Sequence, residues 1–173
     1  MAGLIHIYCG DGKGKTTAAV GLAVRAAGAG KRVLFVQFFK NGDSSEIGIL
    51  RTIGNIRVGV SARRHGFFKA MDASEREQAG EDYTALLSAA LAEARDGVDL
   101  LVLDEVISAC NYRAVPEALL TEFLRTKPED LEVVLTGRDP SETLLASADY
   151  VTEMRKVRHP YDRGVTARRG IEF

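Results

Sequence analysis

A chain of 173 residues with a formal net charge of −1 is long enough to bury a core and has no bulk charge that would steer it to nucleic acid or an anionic membrane. Its two cysteines, Cys9 and Cys110, are too few for a disulfide framework or a structural zinc site, and no apolar run approaches the roughly 20 residues that span a bilayer. The expectation is one cytoplasmic domain over residues 1–173, with no signal peptide because the first strand begins at once.

Leu4 to Cys9 is an apolar run that reads as a buried strand. Gly10-Asp11-Gly12-Lys13-Gly14-Lys15-Thr16-Thr17 follows, and the small apolar residues from Ala18 to Ala27 read as a helix. Strand, glycine-rich loop, Lys-Thr, helix is the arrangement of a phosphate-binding loop. Glycines let the backbone turn tightly and aim several N–H groups at one point, and the helix adds the positive end of its dipole. Lys15 is expected to reach outer phosphates, and the Thr16 hydroxyl to ligate Mg²⁺. The loop is short: only Asp11, Gly12 and Lys13 separate Gly10 from Gly14-Lys15, where the usual pattern has four residues. The bland alternative is a glycine-rich turn with an incidental lysine. The agreement of loop, lysine, hydroxyl and flanking elements favours phosphate binding.

Gly28-Ala29-Gly30-Lys31 reads as a helix stop, and Val33 to Phe38 as a second strand, apolar enough to be covered on both faces. Residues 43–55 read as loop with a short helix near Glu46 to Leu50, and Ile56 to Val60 as a third strand. Ser61 to Met71 mixes Arg63, Arg64, His65 and Lys69 with Phe67 and Phe68. It is either a solvated basic turn with an aromatic anchor or a contact surface for substrate or phosphate. Ser74-Glu75-Arg76-Glu77 fits a capping box. The helix behind it carries Tyr83, Leu86, Leu87, Ala90, Leu91 and Ala94 on one face and stops near Gly97.

Leu100 to Leu103 is a strand that runs into Asp104-Glu105. Such a pair is either an ordinary acidic strand end or the carboxylate that holds Mg²⁺ opposite a phosphate loop. Pro116 opens a helix whose Leu119, Leu120, Phe123 and Leu124 face the core, and Leu131 to Leu135 is the next strand. Thr136-Gly137-Arg138 leaves its carboxyl end, where ligands bind in open α/β sheets. Asp139-Pro140-Ser141-Glu142 caps a short helix, and Tyr150 to Met154 is a last strand. The remainder is strongly basic, with Arg155, Lys156, Arg158, His159, Arg163, Arg168 and Arg169. Its Gly, Pro and aromatic punctuation favours a segment lying over a polyanion or a partner subunit rather than a disordered arm. Alternating strands and helices predict an α/β, three-layer fold like that of phosphate-loop NTPases, with a mostly parallel central sheet.

These residues resemble the family of ATP:corrinoid adenosyltransferases over essentially the whole chain. The phosphate loop looks like that family's shortened one, with Asp11 where Asn is more usual, and Val36-Gln37-Phe38-Phe39-Lys40 looks like its second strand. Leu103-Asp104-Glu105, Leu135-Thr136-Gly137-Arg138 and the tail from Ala148 through His159-Pro160-Tyr161-Asp162 to Gly170-Ile171-Glu172-Phe173 match its other motifs. The resemblance implies a transferase in cobalamin biosynthesis or salvage. A Co(I) corrinoid attacks C5′ of ATP, and triphosphate leaves. Gly10, Asp11, Gly12, Lys13, Gly14, Lys15, Thr16, Thr17 and Arg138 then form the nucleotide cradle. Mg²⁺, or Mn²⁺ in its place, sits between Thr16, the phosphates and Glu105, with Asp104 behind it.

Phe67 is implied to lie beneath the corrin, where it displaces the lower axial ligand of Co(II) and eases reduction; Lys69 stands where an aromatic is often found. A homodimer and a flavoprotein reductant are implied as partners. Relatives can also carry an N-terminal extension over the site, and a chain starting at its first strand is expected to close over substrate differently. Two other readings remain: a conventional phosphate-loop ATPase or small-molecule kinase, and a module that binds ATP and a corrinoid without turnover.

Overall fold

The structure, a computed structural model, describes residues 2–173. Six strands, β1 (Ile5–Cys9), β2 (Val33–Gln37), β3 (Ile56–Val60), β4 (Leu100–Asp104), β5 (Glu132–Thr136) and β6 (Tyr150–Glu153), form one sheet in the order β3-β2-β4-β5-β1-β6. Every pairing is parallel, so the sheet is wholly rather than mostly parallel. All six carboxyl ends therefore lie along one edge, and the chain must cross over between successive strands through α1 (Lys15–Gly28), α2 (Ser45–Leu50), α3 (Ala73–Glu93), α4 (Val106–Asn111), α5 (Glu117–Thr126) and α6 (Glu142–Ala146).

The apolar runs are explained by two cores, one on each face of the sheet. In β2, Val33 and Phe35 pack into the layer beneath α1 and α2, while Leu34 and Val36 point to the layer beneath α3, α4 and α5. In β4, Leu100 and Val102 join the first core, and Leu101 and Leu103 the second. Strands buried on both faces lose the alternation of a half-exposed strand. The edge strand β6 differs: all four residues are exposed.

The predicted stripe on α3 is buried at Tyr83, Leu87, Ala90, Leu91 and Ala94, with Leu86 partly covered. Its start differs from the sequence reading. Asp72, not Ser74, is the N-cap: its carboxylate accepts from Glu75 N–H at 2.9 Å, and the Glu75 carboxylate accepts from Asp72 N–H at 2.9 Å. Ser74 already lies inside the helix. Both Asp72/Glu75 and Ser74/Glu77 have the cap spacing, and Met71, 8 % exposed, is the anchor that fixes where the turn begins. The short helix expected near Glu46 is α2. The helix α4 was not foreseen. Val106, Ile107, Ser108, Ala109 and Cys110 are all buried, so it has no polar face to give a helical period.

The corrected cap has a direct test in urea denaturation. Asp72→Ala is expected to lose about 1 kcal/mol, within the range of about 0.5–2 for lost caps. Ser74→Ala should stay within about 0.5 kcal/mol of the parent. The reverse ranking would put the cap back at Ser74.

Candidate active site

The carboxyl ends of β1, β2, β4 and β5 converge on one side chain. Asp104 ends β4 and is fully buried. Its Oδ1 accepts from the hydroxyls of Thr16, at 2.9 Å, and Thr136, at 2.7 Å. Its Oδ2 accepts from Gln37 Nε2 and Lys40 Nζ, each at 3.1 Å. A buried carboxylate is tolerated only when its lone pairs are met and its charge is countered, and Asp104 has four donors, one of them a cation. Lys40 Nζ also reaches Thr16 Oγ1, at 2.9 Å. Gln37 is 1 % exposed, and its Oε1 is a buried acceptor with no donor among the described residues.

The phosphate loop wraps the start of α1. Lys15 is buried and folds back over the loop, with Nζ donating to the carbonyls of Gly10 at 2.8 Å and Gly12 at 2.9 Å. Burial lowers its pKa, and the neighbouring Glu105 carboxylate opposes that shift. The Gly12 N–H points out of the loop, to the Met154 carbonyl at 2.6 Å, so in this state it is not among the amides aimed at the cradle. A Cβ at Gly12 would lie 2.5 Å from that oxygen, which explains the glycine. Asp11 turns its carboxylate away as well, accepting from Lys156 N–H at 2.8 Å, and that bond holds its pKa below the ordinary value. The basic tail is thereby clamped to the loop at two points. Gly12, Lys13, Arg155, Lys156, Arg158 and Arg168 line a cavity of about 500 Å³ between them. Thr17 is exposed on a second cleft with Thr16 and Lys40, closed on its far side by residues 170–173. Arg138 is exposed and shares a third opening with Asp11, Lys156 and Tyr161.

Glu105 follows Asp104 in the left-handed region, at φ 64 and ψ 15. For a residue with a Cβ this costs about 1–3 kcal/mol, and such strain gathers at functional sites. Three contacts hold it. Its N–H donates to Thr136 Oγ1 at 2.9 Å, its Oε2 accepts from Ser108 Oγ at 2.7 Å, and Ala109 N–H bonds its carbonyl at 3.0 Å. Thr136 thus ties the ends of β4 and β5 together through one hydroxyl. Gly137 follows at φ 150, where a Cβ would lie 2.7 Å from Ile107 Cβ and Ser108 N, so α4 packs directly on this turn.

Phe67 lies outside this cluster. It is 76 % exposed, while its neighbour Phe68 packs against Phe39 with ring centres 5.3 Å apart. Asn41 clips the loop to the turn after β2, its Nδ2 donating to His65 O at 2.8 Å and its Oδ1 accepting from His65 N–H at 3.0 Å. Lys69 holds its ammonium 5.3 Å from the centre of the Tyr112 ring. The structure therefore brings together Lys15, Thr16, Asp104 and Glu105, and sets Phe67 on a separate loop beside the turn that carries Lys40.

Sequence reasoning assigned no role to Gln37, Lys40, Ser108 or the Met154 carbonyl. A glutamine ending an otherwise apolar strand, and a lysine just beyond it, were the available signal for the first two. Nothing local marks Met154, whose contribution is a main-chain oxygen brought in by β6.

The family model for "ATP:corrinoid adenosyltransferase BtuR/CobO/CobP" matches residues 1–173. The chain is 35 % identical over 173 residues to a corrinoid adenosyltransferase of Escherichia coli (strain K12), covering 99 % of this chain and 86 % of that one. It is similarly 35 % identical over 173 residues, with the same coverage, to a corrinoid adenosyltransferase of Salmonella typhimurium. To one from a Sinorhizobium species it is 34 % identical over 180 residues, covering 99 % and 80 %.

Two substitutions at adjacent positions should act unequally on stability. Asp104→Ala leaves the partly exposed Lys40 ammonium and three other donors without their acceptor, and a loss of about 1–3 kcal/mol is expected. Glu105→Gly relieves the left-handed strain but loosens the unfolded chain and removes the acceptor of the Ser108 hydroxyl, so stability should stay within about 1 kcal/mol of the parent. Urea titration of both proteins measures this, and a Glu105→Gly loss as large as that of Asp104→Ala would contradict the assignment.

Proposed function

This chain belongs to the ATP:corrinoid adenosyltransferase family, and from that premise we propose that it joins the 5′-deoxyadenosyl group of ATP to the cobalt of a reduced corrinoid. The observation that carries the reading is the family match over residues 1–173, together with a shortened phosphate loop bound to a basic tail. The Co(I) centre of the substrate supplies both electrons of the new cobalt–carbon bond and becomes Co(III). The C5′–O bond breaks, and its electron pair leaves with triphosphate.

The loop's task is then to hold a leaving group rather than a transferred phosphoryl. Lys15, released from the Gly10 and Gly12 carbonyls, and Lys13 meet the triphosphate. The helix dipole of α1 and the tail's Arg155, Lys156 and Arg158 add positive potential. Charge grows on the departing oxygen as the bond breaks, and preorganised cations and amides stabilise that charge most. Asp11 serves by clamping the tail, and Arg138, which shares an opening with Lys156 of that tail, is read as a further phosphate contact.

Mg²⁺, or Mn²⁺ in its place, fits the donors present. Thr16 donates its hydroxyl hydrogen to Asp104, which leaves its oxygen lone pairs for a cation, the place that the Lys40 ammonium takes here. Glu105 carries a carboxylate held by Ser108, and the orphaned Gln37 Oε1 suits a proton from a metal-bound water. No group of three or more His, Cys, Asp or Glu able to hold a metal occurs among the described residues, as befits an ion that arrives with a nucleotide and keeps phosphate and water ligands. Thr16 and Glu105 would hold it, with Asp104 orienting Thr16 from behind. Bound there, the ion neutralises the leaving triphosphate.

We read the enzyme as a single-domain cytoplasmic homodimer supplied with electrons by a flavoprotein. The exposed edge strand, with Tyr150 52 % and Val151 49 % exposed, supports a partner subunit. Among the described residues no helix is long and apolar enough to cross a membrane.

The reaction is tested by anaerobic incubation with ATP, Mg²⁺ and chemically generated Co(I) corrinoid. A light-sensitive adenosylcorrinoid and stoichiometric triphosphate are expected, and release of ADP would identify phosphoryl transfer instead. In the same assay Lys15→Ala should slow turnover by about a hundredfold to a thousandfold at saturating ATP, the scale for a lost preorganised donor. A near-normal rate would remove Lys15 from the chemistry.

The exposure of Phe67 supports a corrin-face role over a core anchor. Phe67→Ala should leave stability within about 0.5 kcal/mol of the parent. It should largely spare adenosylation from preformed Co(I) and fail from Co(II) with a mild reductant. Equal loss in both assays would refute the role.

A further inference from the structure

Lys40 is the cation set directly against the buried Asp104 carboxylate. Its ammonium bridges Asp104 Oδ2 at 3.1 Å and Thr16 Oγ1 at 2.9 Å, so it occupies the space between the hydroxyl and the carboxylate. Its side chain is 31 % exposed, whereas that of Asp104 is fully covered. Two features aim it there. Phe39 turns left-handed, at φ 64, just after β2, and Asn41, at φ 50, is fastened to His65 on the neighbouring loop. The other lysine of the site does not supply the countercharge, because Lys15 is held on the Gly10 and Gly12 carbonyls.

We propose that Lys40 is a place-holding cation, whose ammonium takes the divalent ion's place at the Thr16 hydroxyl in the nucleotide-free protein, countering Asp104 behind it, and moves onto the triphosphate when the metal arrives with it. The proposal rests on the reading of Thr16 as a metal ligand. Three physical points carry it. A buried carboxylate needs a countercharge whether or not nucleotide is bound. Lys40 accepts nothing and donates to a lone pair of Thr16, so the hydroxyl keeps its proton on Asp104 and already has the orientation a metal requires. Finally, an ammonium and a divalent ion repel at contact distance and cannot share the space.

The displaced side chain has somewhere to go. Lys40 lines the open cleft of about 370 Å³ that also contains Thr16 and Thr17 at the start of α1, where phosphate is favoured. Metal and triphosphate therefore enter together: the metal alone must evict a cation with no new partner, whereas the metal nucleotide offers Lys40 an anion. Lys40 is a positioning residue in the free protein and a phosphate contact in the loaded one.

The test needs neither corrinoid nor turnover, so its failure is distinct from failure of the adenosyltransfer reading. Mn²⁺ uptake is followed by electron paramagnetic resonance without nucleotide, and thermal melting is compared in EDTA and in Mg²⁺. The parent protein and Lys40→Arg should take up little Mn²⁺ and melt at the same temperature in both buffers. Lys40→Met should melt lower in EDTA, recover in Mg²⁺, and bind Mn²⁺ roughly tenfold or more tightly than the parent. If Lys40→Met does not fold in EDTA, its refolding yield becomes the readout, and recovery with Mg²⁺ supports the proposal while no recovery overturns it. A Lys40→Met protein indifferent to metal, or a parent that binds Mn²⁺ equally well without nucleotide, would also overturn it.

Discussion

The site depends on one buried carboxylate. Asp104 has no access to water, so every donor it needs must come from the protein. Thr16 comes from the phosphate loop, Gln37 and Lys40 from the end of β2, and Thr136 from the end of β5. These elements belong to different crossovers, and only an all-parallel sheet brings their carboxyl ends to one edge. The carboxylate thereby sets the register of the loop against the sheet, and it holds the Thr16 hydroxyl in one orientation. Glu105, one residue on, takes the strained backbone, and its carboxylate accepts from Ser108 instead.

The second constraint joins the two ends of the chain. Met154 receives the Gly12 N–H, and its own N–H bonds the Cys9 carbonyl at 2.8 Å. Lys156 is fixed by Asp11. The start of the basic tail is therefore bonded to the glycine-rich loop and is not an appendage to it. This suits an enzyme family that expels triphosphate: all three linked phosphates leave together and gain charge as the C5′–O bond breaks, and cations along their length stabilise that leaving group. An Asp in the loop, unhelpful next to phosphate as a bare charge, makes sense as the clamp for that run.

Much of the architecture was legible because strands and long helices carry their own periodicity. The apolar runs at Val33 and Leu100, the stripe from Tyr83 to Ala94 and the loop at Gly10 all appear where the residues indicated. The failures have separate causes. Helix α4 is buried on every side, so it has no polar face to reveal it. The cap at Asp72 was confused with Ser74 because two overlapping stretches have the same spacing, and burial of Met71 decides between them.

The residue types along the chain determined by themselves that a phosphate loop opens the protein, that a parallel sheet follows and that an acidic pair ends its fourth strand, because each is a local pattern with a local physical cause. Tertiary structure alone decided what those groups touch. That Asp104 is the hub and Glu105 the strained neighbour, that Lys15 rests on loop carbonyls, that Lys40 sits between Thr16 and Asp104, and that a main-chain oxygen of Met154 closes the loop all depend on pairings between residues far apart in the chain. Hydrogen bonds of this kind are set by where the sheet register and crossovers place each strand end, and no stretch of sequence contains that information on its own.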